Sequence, residues 1–151
     1  MISFDTNILV YATASVADAK ALRARDLIAR AMRAGWTILL LQTLAEFANV
    51  AIAGIPIEEI RKIIDAWRAV LPVQSADDED LAAALEAVRA HRLPFWDALL
   101  WASAQRAGVR CLLTEDLQDG FILESVRFVN PFKRANDRLI DEVLPPGAAR
   151  T

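Results

Sequence analysis

Short apolar runs alternate with longer amphipathic segments along most of this chain. Five apolar runs have the length of a buried strand, at 1–4, 36–41, 71–74, 110–113 and 126–129. Five segments have the length and composition of a helix, at 18–34, 43–53, 57–70, 75–90 and 95–107. A further helix is expected after the turn Asp5-Thr6-Asn7, with Asp5 or Thr6 as its cap. Strands that alternate with helices predict an α/β fold with a mostly parallel sheet.

The last part of the chain has a different pattern. Lys133–Arg138 is charged, Leu139–Leu144 has the length of one or two helical turns, and Pro145-Pro146-Gly147 is expected to fray. We therefore expect one domain over residues 1–132, followed by a C-terminal extension over residues 133–151 that is partly helical or frayed.

Composition restricts the classes of protein to consider. With 151 residues, 55% hydrophobic and 25% charged, the chain is expected to form one domain with a full core. No uninterrupted apolar stretch reaches about 18 residues, and the first residues lack the pattern of a signal peptide, so we expect no membrane association. One cysteine excludes an internal disulfide and fits the cytoplasm. One histidine excludes a ribonuclease that uses two histidines of the same chain.

Four acids lie in otherwise apolar surroundings. They are Asp5, Glu46, Asp97 and Asp116. Burying an unpaired carboxylate costs several kcal/mol, so a globular domain rarely does this without a partner. None of the four has a Lys or Arg at helical spacing that could neutralise it from the same element. If the four converge in space, a divalent cation is the simplest partner.

The order of the elements places at least three of these acids at one edge. Ligands of a parallel sheet bind beyond the carboxyl ends of the strands, where Asp5, Glu46 and Asp116 are expected. Each acid has another interpretation, because Asp5 could cap a helix, Asp97 could complement a helix dipole and Asp116 could be a turn residue. Glu46 could face solvent. Asp119, three residues beyond Asp116, could reach the same pocket.

Other residues are expected to have structural roles only. The run Asp77–Asp80 is expected to be a solvated helix start, with Ser75 as the cap. Cys111 is expected to be a buried thiol without a chemical role. The four tryptophans are expected in the core rather than as platforms for nucleobases; they are Trp36, Trp67, Trp96 and Trp101.

Basic residues give no global attraction to nucleic acid, because the net charge is −3. Any rim that attracts phosphate would have to come from local arginines, each of which could equally belong to a solvated helix face. The candidates are Arg23, Arg25, Arg30, Arg33, Arg89, Arg92 and Arg106.

Four ordered motifs resemble those of a known family. The motifs are Phe4-Asp5-Thr6-Asn7-Ile8-Leu9, Thr43-Leu44-Ala45-Glu46-Phe47, Phe95-Trp96-Asp97-Ala98-Leu99 and Leu113-Thr114-Glu115-Asp116. They resemble motifs of the PIN-domain ribonucleases, and among these the VapC-type toxins of bacterial toxin–antitoxin pairs. The resemblance covers about residues 1–132. It implies a three-layer α/β/α sandwich with an acidic pocket that binds Mg²⁺ or Mn²⁺.

The resemblance also implies roles for individual residues. Asp5, Asp97 and Asp116 would hold the metal, and Glu46 would act through a water or a second ion. Asn7 and Thr114 match supporting polar positions, and Asp119 matches a further acid of some relatives.

The activity that the resemblance implies is metal-dependent hydrolysis of RNA by a toxin. Its partners would be a second copy in a homodimer and a small antitoxin protein. The alternatives are a housekeeping RNA-processing or DNA-cleaving nuclease of the same fold, and a non-catalytic scaffold that binds RNA or a partner. A phosphatase that uses Asp5 as nucleophile is disfavoured, because Asn7 stands where such enzymes usually carry a second Asp.

Overall fold

The computed structural model of the chain describes residues 1–147. Its elements, in order, are β1 (Ile2–Phe4), α1 (Thr6–Thr13), α2 (Ala19–Ala34), β2 (Leu39–Leu40), α3 (Leu41–Ala51), α4 (Ile57–Arg68), β3 (Val73–Gln74), α5 (Asp78–His91), α6 (Phe95–Arg106), β4 (Cys111–Leu113), β5 (Ile122–Leu123) and β6 (Val126–Val129). A 3-10 turn at Arg134–Asn136 and α7 (Asp137–Val143) follow.

The strands form a mostly parallel sheet, as predicted. One group has the order β1-β4-β6-β5 and the other pairs β2 with β3. A parallel bridge between Ile2 and Thr37 joins the two groups, and the Ile38 amide donates to the Ile2 carbonyl over 3.0 Å. Among the strands of residues 1–147, only β5 runs antiparallel to its neighbour, β6. Its two residues are too short a run for the sequence pattern to reveal.

Two hydrophobic clusters cover the two faces of the sheet. In β4, Cys111 and Leu113 join the cluster that contains helices α1 to α4, whereas Leu112 joins the cluster of α5 and α6. Alternation of this kind follows from the two-residue period of a strand. Phe4 and Phe47 are fully buried on the first side, and Phe128 is fully buried on the second. The protein is therefore a three-layer α/β/α sandwich, as expected.

The start of α5 differs from the sequence prediction. Asp77, not Ser75, is the N-cap, and it exchanges hydrogen bonds with Asp80 in a capping box. Asp80 is 2% exposed, so the expectation that the whole acidic run is solvated was wrong. Arg106 of α6 explains the burial, because its Nε lies 2.9 Å from Asp80 Oδ1 and Ser103 Oγ donates to Asp80 Oδ2. A buried carboxylate with this many partners is stable in the fold.

The tryptophans also divide into two classes. Trp67 and Trp101 are buried, as predicted, with exposures of 7% and 6%. Trp36 and Trp96 are 46% and 62% exposed, so the prediction of a core position was wrong for these two. Trp36 Nε1 donates to the Val143 carbonyl over 2.9 Å, which gives its ring a structural contact with α7.

The C-terminal extension packs against the first hydrophobic cluster. Ile140 and Leu144 are fully buried in it. Arg30 of α2 lies 2.6 Å from Asp141 and donates to the Leu144 carbonyl over 3.1 Å. The predicted helical turns at 139–144 are confirmed by α7, whereas residues 145–147 form neither helix nor strand. The domain boundary at residue 132 stays a prediction. The last four residues of the expected extension, 148–151, lie outside the described part of the chain.

In residues 1–147, none of the helices combines the length and the apolar character needed to cross a membrane.

Candidate active site

The register of the sheet brings Asp5 beside the loop after β4. Phe4 pairs with Leu113, and the Asp5 amide donates to the Leu113 carbonyl over 2.9 Å. Asp5 caps α1, so its Oδ1 accepts from the Thr6 amide over 2.7 Å, while its Oδ2 accepts from Thr114 Oγ1 over 2.7 Å. The carboxylate is 6% exposed. Asp5 therefore caps α1 and also lies at the carboxyl end of β1, so the two interpretations are compatible.

Asp116 lies in the same loop and is held from α1. Asn7 Nδ2 donates to Asp116 Oδ2 over 2.9 Å, and the Asp116 amide donates to Thr114 Oγ1 over 3.1 Å. Thr114 thus contacts both Asp5 and Asp116. The two polar positions singled out in the sequence, Asn7 and Thr114, both contact the acids.

Glu46 reaches the site from the middle of α3. Its Oε2 accepts from Thr6 Oγ1 over 2.9 Å, and its Oε1 accepts from Gln42 Nε2 over 2.7 Å. The same Gln42 nitrogen donates to the Trp96 carbonyl over 2.9 Å, which joins α3 to the first turn of α6. Asp97 is the next residue in that turn. Gln42 therefore connects the side chain of Glu46 to the backbone of the residue that precedes Asp97.

Gln42 and Thr6 were not singled out in the sequence. A signal existed for Gln42, since it lies four residues before Glu46 on one helix and the two side chains share a face. Thr6 gives no comparable signal, because its partner Glu46 is distant in the chain.

The electrostatics show that the acids affect one another. Burial raises the pKa of Asp5 to about 6, with further contributions from the negative charges of Asp116 and Asp97, against the hydrogen bonds of Thr114 and Thr6. Burial also raises the pKa of Asp97, and the charges of Asp116 and Glu46 add to this effect. Within residues 1–147, no Lys or Arg forms an ion pair with any of the four acids. The structure thus brings four carboxylates into one negative region.

The donor set suits a hard divalent cation in its chemistry. Carboxylate oxygens are the ligands that Mg²⁺ and Mn²⁺ prefer, and Mg²⁺ keeps several waters, so one or two carboxylates are enough. In the described part of the chain, however, no three His, Cys, Asp or Glu side chains are arranged so that they could hold an ion as they stand. Asp5, Glu46 and Asp116 instead accept hydrogen bonds from neutral donors.

Asp119 and Glu115 have different partners from the four acids. Asp119 Oδ1 accepts from the Asn130 amide and from Asn136 Nδ2, and Lys133 Nζ lies 3.3 Å from its Oδ2. These contacts tie Asp119 to the segment after β6, and its role as a metal ligand stays a prediction. Glu115 pairs with Lys20 Nζ over 2.6 Å.

Glu115 also accepts a hydrogen bond from the Tyr11 hydroxyl. Burial opposes its ionisation, but the hydrogen bonds from Lys20 and Tyr11 prevail and lower the pKa of Glu115. No sequence pattern predicts this cluster, since α1 and the loop after β4 are far apart in the chain.

Most of the candidate rim arginines have local partners. Ion pairs engage Arg23 with Asp137, Arg30 with Asp26 and Asp141, Arg89 with Glu86, and Arg106 with Asp77 and Asp80. Arg25 donates to backbone carbonyls of Ala12 and Ala14. Their role as a rim that attracts phosphate stays a prediction.

The sequence profile of the PIN domain family matches residues 2–121, a segment that contains all four acids and Asp119. The chain belongs to the PIN domain family. No curated protein sequence gives a significant match to it.

Solved structures similar to this PIN domain include VapC20 of Mycobacterium tuberculosis, a toxin that cleaves the sarcin-ricin loop. It is 17% identical, with a TM-score of 0.63 over 77% of this chain and 90% of VapC20. A toxin–antitoxin complex from Klebsiella pneumoniae contains a chain that is 19% identical, with a TM-score of 0.64 over 87% of this chain and 98% of that one. VapBC2 from Rickettsia felis, bound to a DNA fragment from its promoter, gives 16% identity and a TM-score of 0.61 over 85% of this chain and 97% of that one.

At these identities the similar structures support the fold of this PIN domain. The profile match ends before β5 begins, so β5, β6 and the packed extension lie beyond it.

Proposed function

We propose that this PIN domain is a divalent-metal-dependent endoribonuclease that acts as the toxin of a toxin–antitoxin pair. The observation that carries the proposal is the convergence of Asp5, Glu46, Asp97 and Asp116 from four separate segments, where no Lys or Arg among residues 1–147 pairs with them. This arrangement is costly for folding, since burial above all, and then the charges of Asp116 and Asp97, raise the pKa of Asp5. A bound cation removes that cost and gives the arrangement a chemical purpose.

In this proposal Asp5, Asp97 and Asp116 hold Mg²⁺ or Mn²⁺, and Glu46 acts through a water. When bound, the ion supplies Lewis-acid activation of water and neutralises charge on the scissile phosphate. Thr6 and Thr114 fix the orientation of Asp5, and Asn7 fixes that of Asp116. Gln42 fixes Glu46. Asp119 is a further candidate ligand.

No side-chain nucleophile is needed. Cys111 is unsuited to that role, because burial raises the pKa of its thiol to about 11 and only 6% of the residue is exposed. Catalysis in this proposal therefore rests on the carboxylates and on the ion that they hold.

The proposed substrate is RNA, and the proposed partners are a second copy of the chain and a small antitoxin protein in the cytoplasm. VapC20 is a toxin that cleaves the sarcin-ricin loop, and the Klebsiella pneumoniae structure is a toxin–antitoxin complex. These descriptions support the proposal because this chain shares their fold and carries the four motifs of VapC-type toxins.

The test is cleavage of total RNA by purified protein in Mn²⁺, in Mg²⁺ and in EDTA. Asp97→Asn is nearly isosteric and is expected to lower the cleavage rate by about 100-fold or more. Asp65→Asn is the matched control, since Asp65 is an exposed acid of α4 outside the site. Cleavage that is equal in the parent and in Asp97→Asn would point to a contaminant and contradict the proposal.

Metal binding and toxicity are tested separately. Mn²⁺ at 100 times its Kd is expected to stabilise the parent by about 2.7 kcal/mol through mass action, and the effect should be reduced in Asp97→Asn. Absence of a melting shift at saturating metal would refute the metal site. Growth arrest on expression, relieved by the product of an adjacent small gene, supports the toxin, whereas harmless expression of an active nuclease favours a housekeeping role. Metal binding without cleavage would favour a scaffold.

A further inference from the structure

A cavity of about 700 Å³ opens between α3 and α6 beside the acidic site. We call it the α3–α6 groove. Its walls include Leu41, Trp96 and Leu99, its polar lining includes Asn49, and Glu46 of the acidic site also lines it. Its volume falls within the range of roughly 300–1,000 Å³ that is typical of small-ligand sites. The groove is thus continuous with the proposed active site.

The exposed ring of Trp96 is the unusual feature of this groove. Trp96 is 62% exposed and Leu41 is 48% exposed, so two large apolar side chains face solvent close together. The Trp96 ring contacts Phe95 edge to face, with a centroid distance of 5.1 Å and an interplanar angle of 69°. Its backbone carbonyl accepts the hydrogen bond from Gln42. The ring is therefore held on a fixed backbone but is not covered.

The same hydrogen bond connects the backbone of Trp96 to the acidic site. Gln42 Nε2 donates to Glu46 Oε1 over 2.7 Å and to the Trp96 carbonyl over 2.9 Å. Both partners are acceptors, so the amide nitrogen must face them and the orientation of Gln42 is fixed. Asp97 follows Trp96 directly. Neighbouring residues of a helix point in different directions, so the link between the two regions is Glu46, which belongs to the acidic site and lines the groove together with Trp96. A phosphate held at the acidic site would therefore place an attached nucleoside within reach of the groove.

We propose that the α3–α6 groove binds one unpaired nucleobase of the substrate, stacked on Trp96, next to the phosphate that is cleaved. This inference rests on the proposed nuclease function and adds a specificity-determining residue to it. A base needs an aromatic or aliphatic face for stacking and polar groups at its edge. Trp96, Leu41 and Leu99 offer the first, and Asn49 offers the second.

The charge of the groove disfavours anionic ligands and is compatible with a neutral base. Its lining contains Glu46 and no Lys or Arg, so it is not suited to a phosphate or to an acidic peptide. A neutral planar base can approach a carboxylate, and base stacking needs no counter-charge. The phosphates of the strand would remain over the acidic site.

The test measures binding without cleavage, in Asp97→Asn protein and EDTA. The probe is a fluorescein-labelled, mixed-sequence, single-stranded oligoribonucleotide, read by anisotropy. Adding Trp96→Ala is expected to weaken binding by about 5- to 150-fold, the usual effect of losing one stacked base, while Trp96→Phe should restore most of it. The dependence of binding on salt should keep its slope, since Trp96 contacts a base and not a phosphate.

The matched control is Leu85→Ala, because Leu85 is an exposed apolar residue of α5, 56% exposed, that does not line the groove. Thermal melting of each variant establishes that it is folded. Size-exclusion chromatography with light scattering reports whether Trp96→Ala changes self-association. Unchanged self-association together with weaker RNA binding supports the base site.

Three results would overturn the proposal. The first is that folded Trp96→Ala protein binds RNA as tightly as its parent does. The second is that the Asp97→Asn parent binds no RNA. The third is that Trp96→Ala abolishes self-association while RNA binding per protomer is unchanged. The last result would assign the groove to a protein interface. Failure of the base site differs from failure of the nuclease function, because metal-dependent cleavage by the wild-type protein is measured separately and can persist in either case.

Discussion

The raised pKa of Asp5 predicts that removing its charge stabilises the metal-free protein at neutral pH. The substitution is Asp5→Asn, which keeps the size of the side chain and one oxygen that can accept the hydrogen bond from the Thr6 amide. The carboxyl has a pKa of about 6 in the fold against an ordinary value of 3.8. The folded state therefore holds the proton more tightly than the unfolded state does.

The magnitude follows from that difference in pKa. The shift of about 2 units corresponds to about 3 kcal/mol, at 1.36 kcal/mol per unit. The contribution of Asp5 to stability is fully present below about pH 3.8 and is lost as pH rises through about 6. The side-chain amide introduced by Asp5→Asn does not titrate, so the variant loses no stability from this position over the same pH range. Part of the loss in the parent has already occurred at pH 4, so Asp5→Asn should gain about 2.4 kcal/mol relative to the parent between pH 4 and pH 7.5.

The assay is urea unfolding of both proteins in EDTA at a series of pH values. The informative quantity is the change with pH in the difference between their free energies of unfolding, because constant effects on hydrogen bonding to Thr114 cancel. Asp65→Asn is the control, and its difference from the parent should stay within about 0.5 kcal/mol. A difference between Asp5→Asn and the parent that is flat from pH 4 to pH 7.5 would refute the reasoning.

Saturating Mn²⁺ should reverse the comparison. The parent then gains stability from the bound ion by mass action, whereas Asp5→Asn lacks one of the proposed ligands. Metal binding must also displace the Asp5 proton below about pH 6, so the apparent affinity for Mn²⁺ should fall as pH decreases through that value. Calorimetric titration at pH 7.5 and pH 5 measures this directly, and equal affinity at both values would contradict it.

Three further predictions concern the support of the site and the core. Thr114→Val removes the donor to Asp5 and the acceptor for the Asp116 amide, so urea unfolding should show a loss of about 1–3 kcal/mol; an unchanged free energy would contradict the hydrogen bonds. Leu144→Ala should cost about 2–5 kcal/mol in the same assay because Leu144 is fully buried, and a cost below about 0.5 kcal/mol would separate the extension from the core. Cys111 should resist a thiol reagent at pH 8 until the protein unfolds, since burial raises its pKa to about 11, and rapid labelling of folded protein would refute its burial.

Much of the fold could be predicted from local sequence patterns. Periodicity located the helices to within a few residues, and Gly35 ends α2 with a φ of 77°, a conformation that glycine adopts readily. The strands were harder, because β2 and β3 are two residues long and β5 has no pattern of its own. Strand pairing depends on contacts between distant segments, which a local pattern does not contain.

For the residues of the site, too, the type of residue is visible in the sequence, whereas its contacts are not. An acid in an apolar segment is visible in the sequence, so Asp5, Glu46, Asp97 and Asp116 could be proposed together. Exposure is decided by what the rest of the chain covers, and this is why the core position expected for Trp96 was wrong. The burial of Asp80 was missed for a similar reason, since its partner Arg106 comes from another helix.

The sequence by itself determined the α/β class, the family and the set of acids to test, because these depend on periodicity, order and residue type. Tertiary structure alone decided that Phe4 pairs with Leu113, and that register is what sets Asp5 beside Thr114 and the loop of Asp116. It also decided that Gln42 ties Glu46 to the backbone of Trp96 and leaves the Trp96 ring exposed. The physical reason is that charge–charge effects and hydrogen bonds depend on distances across the sheet, and those distances exist only once the chain has folded.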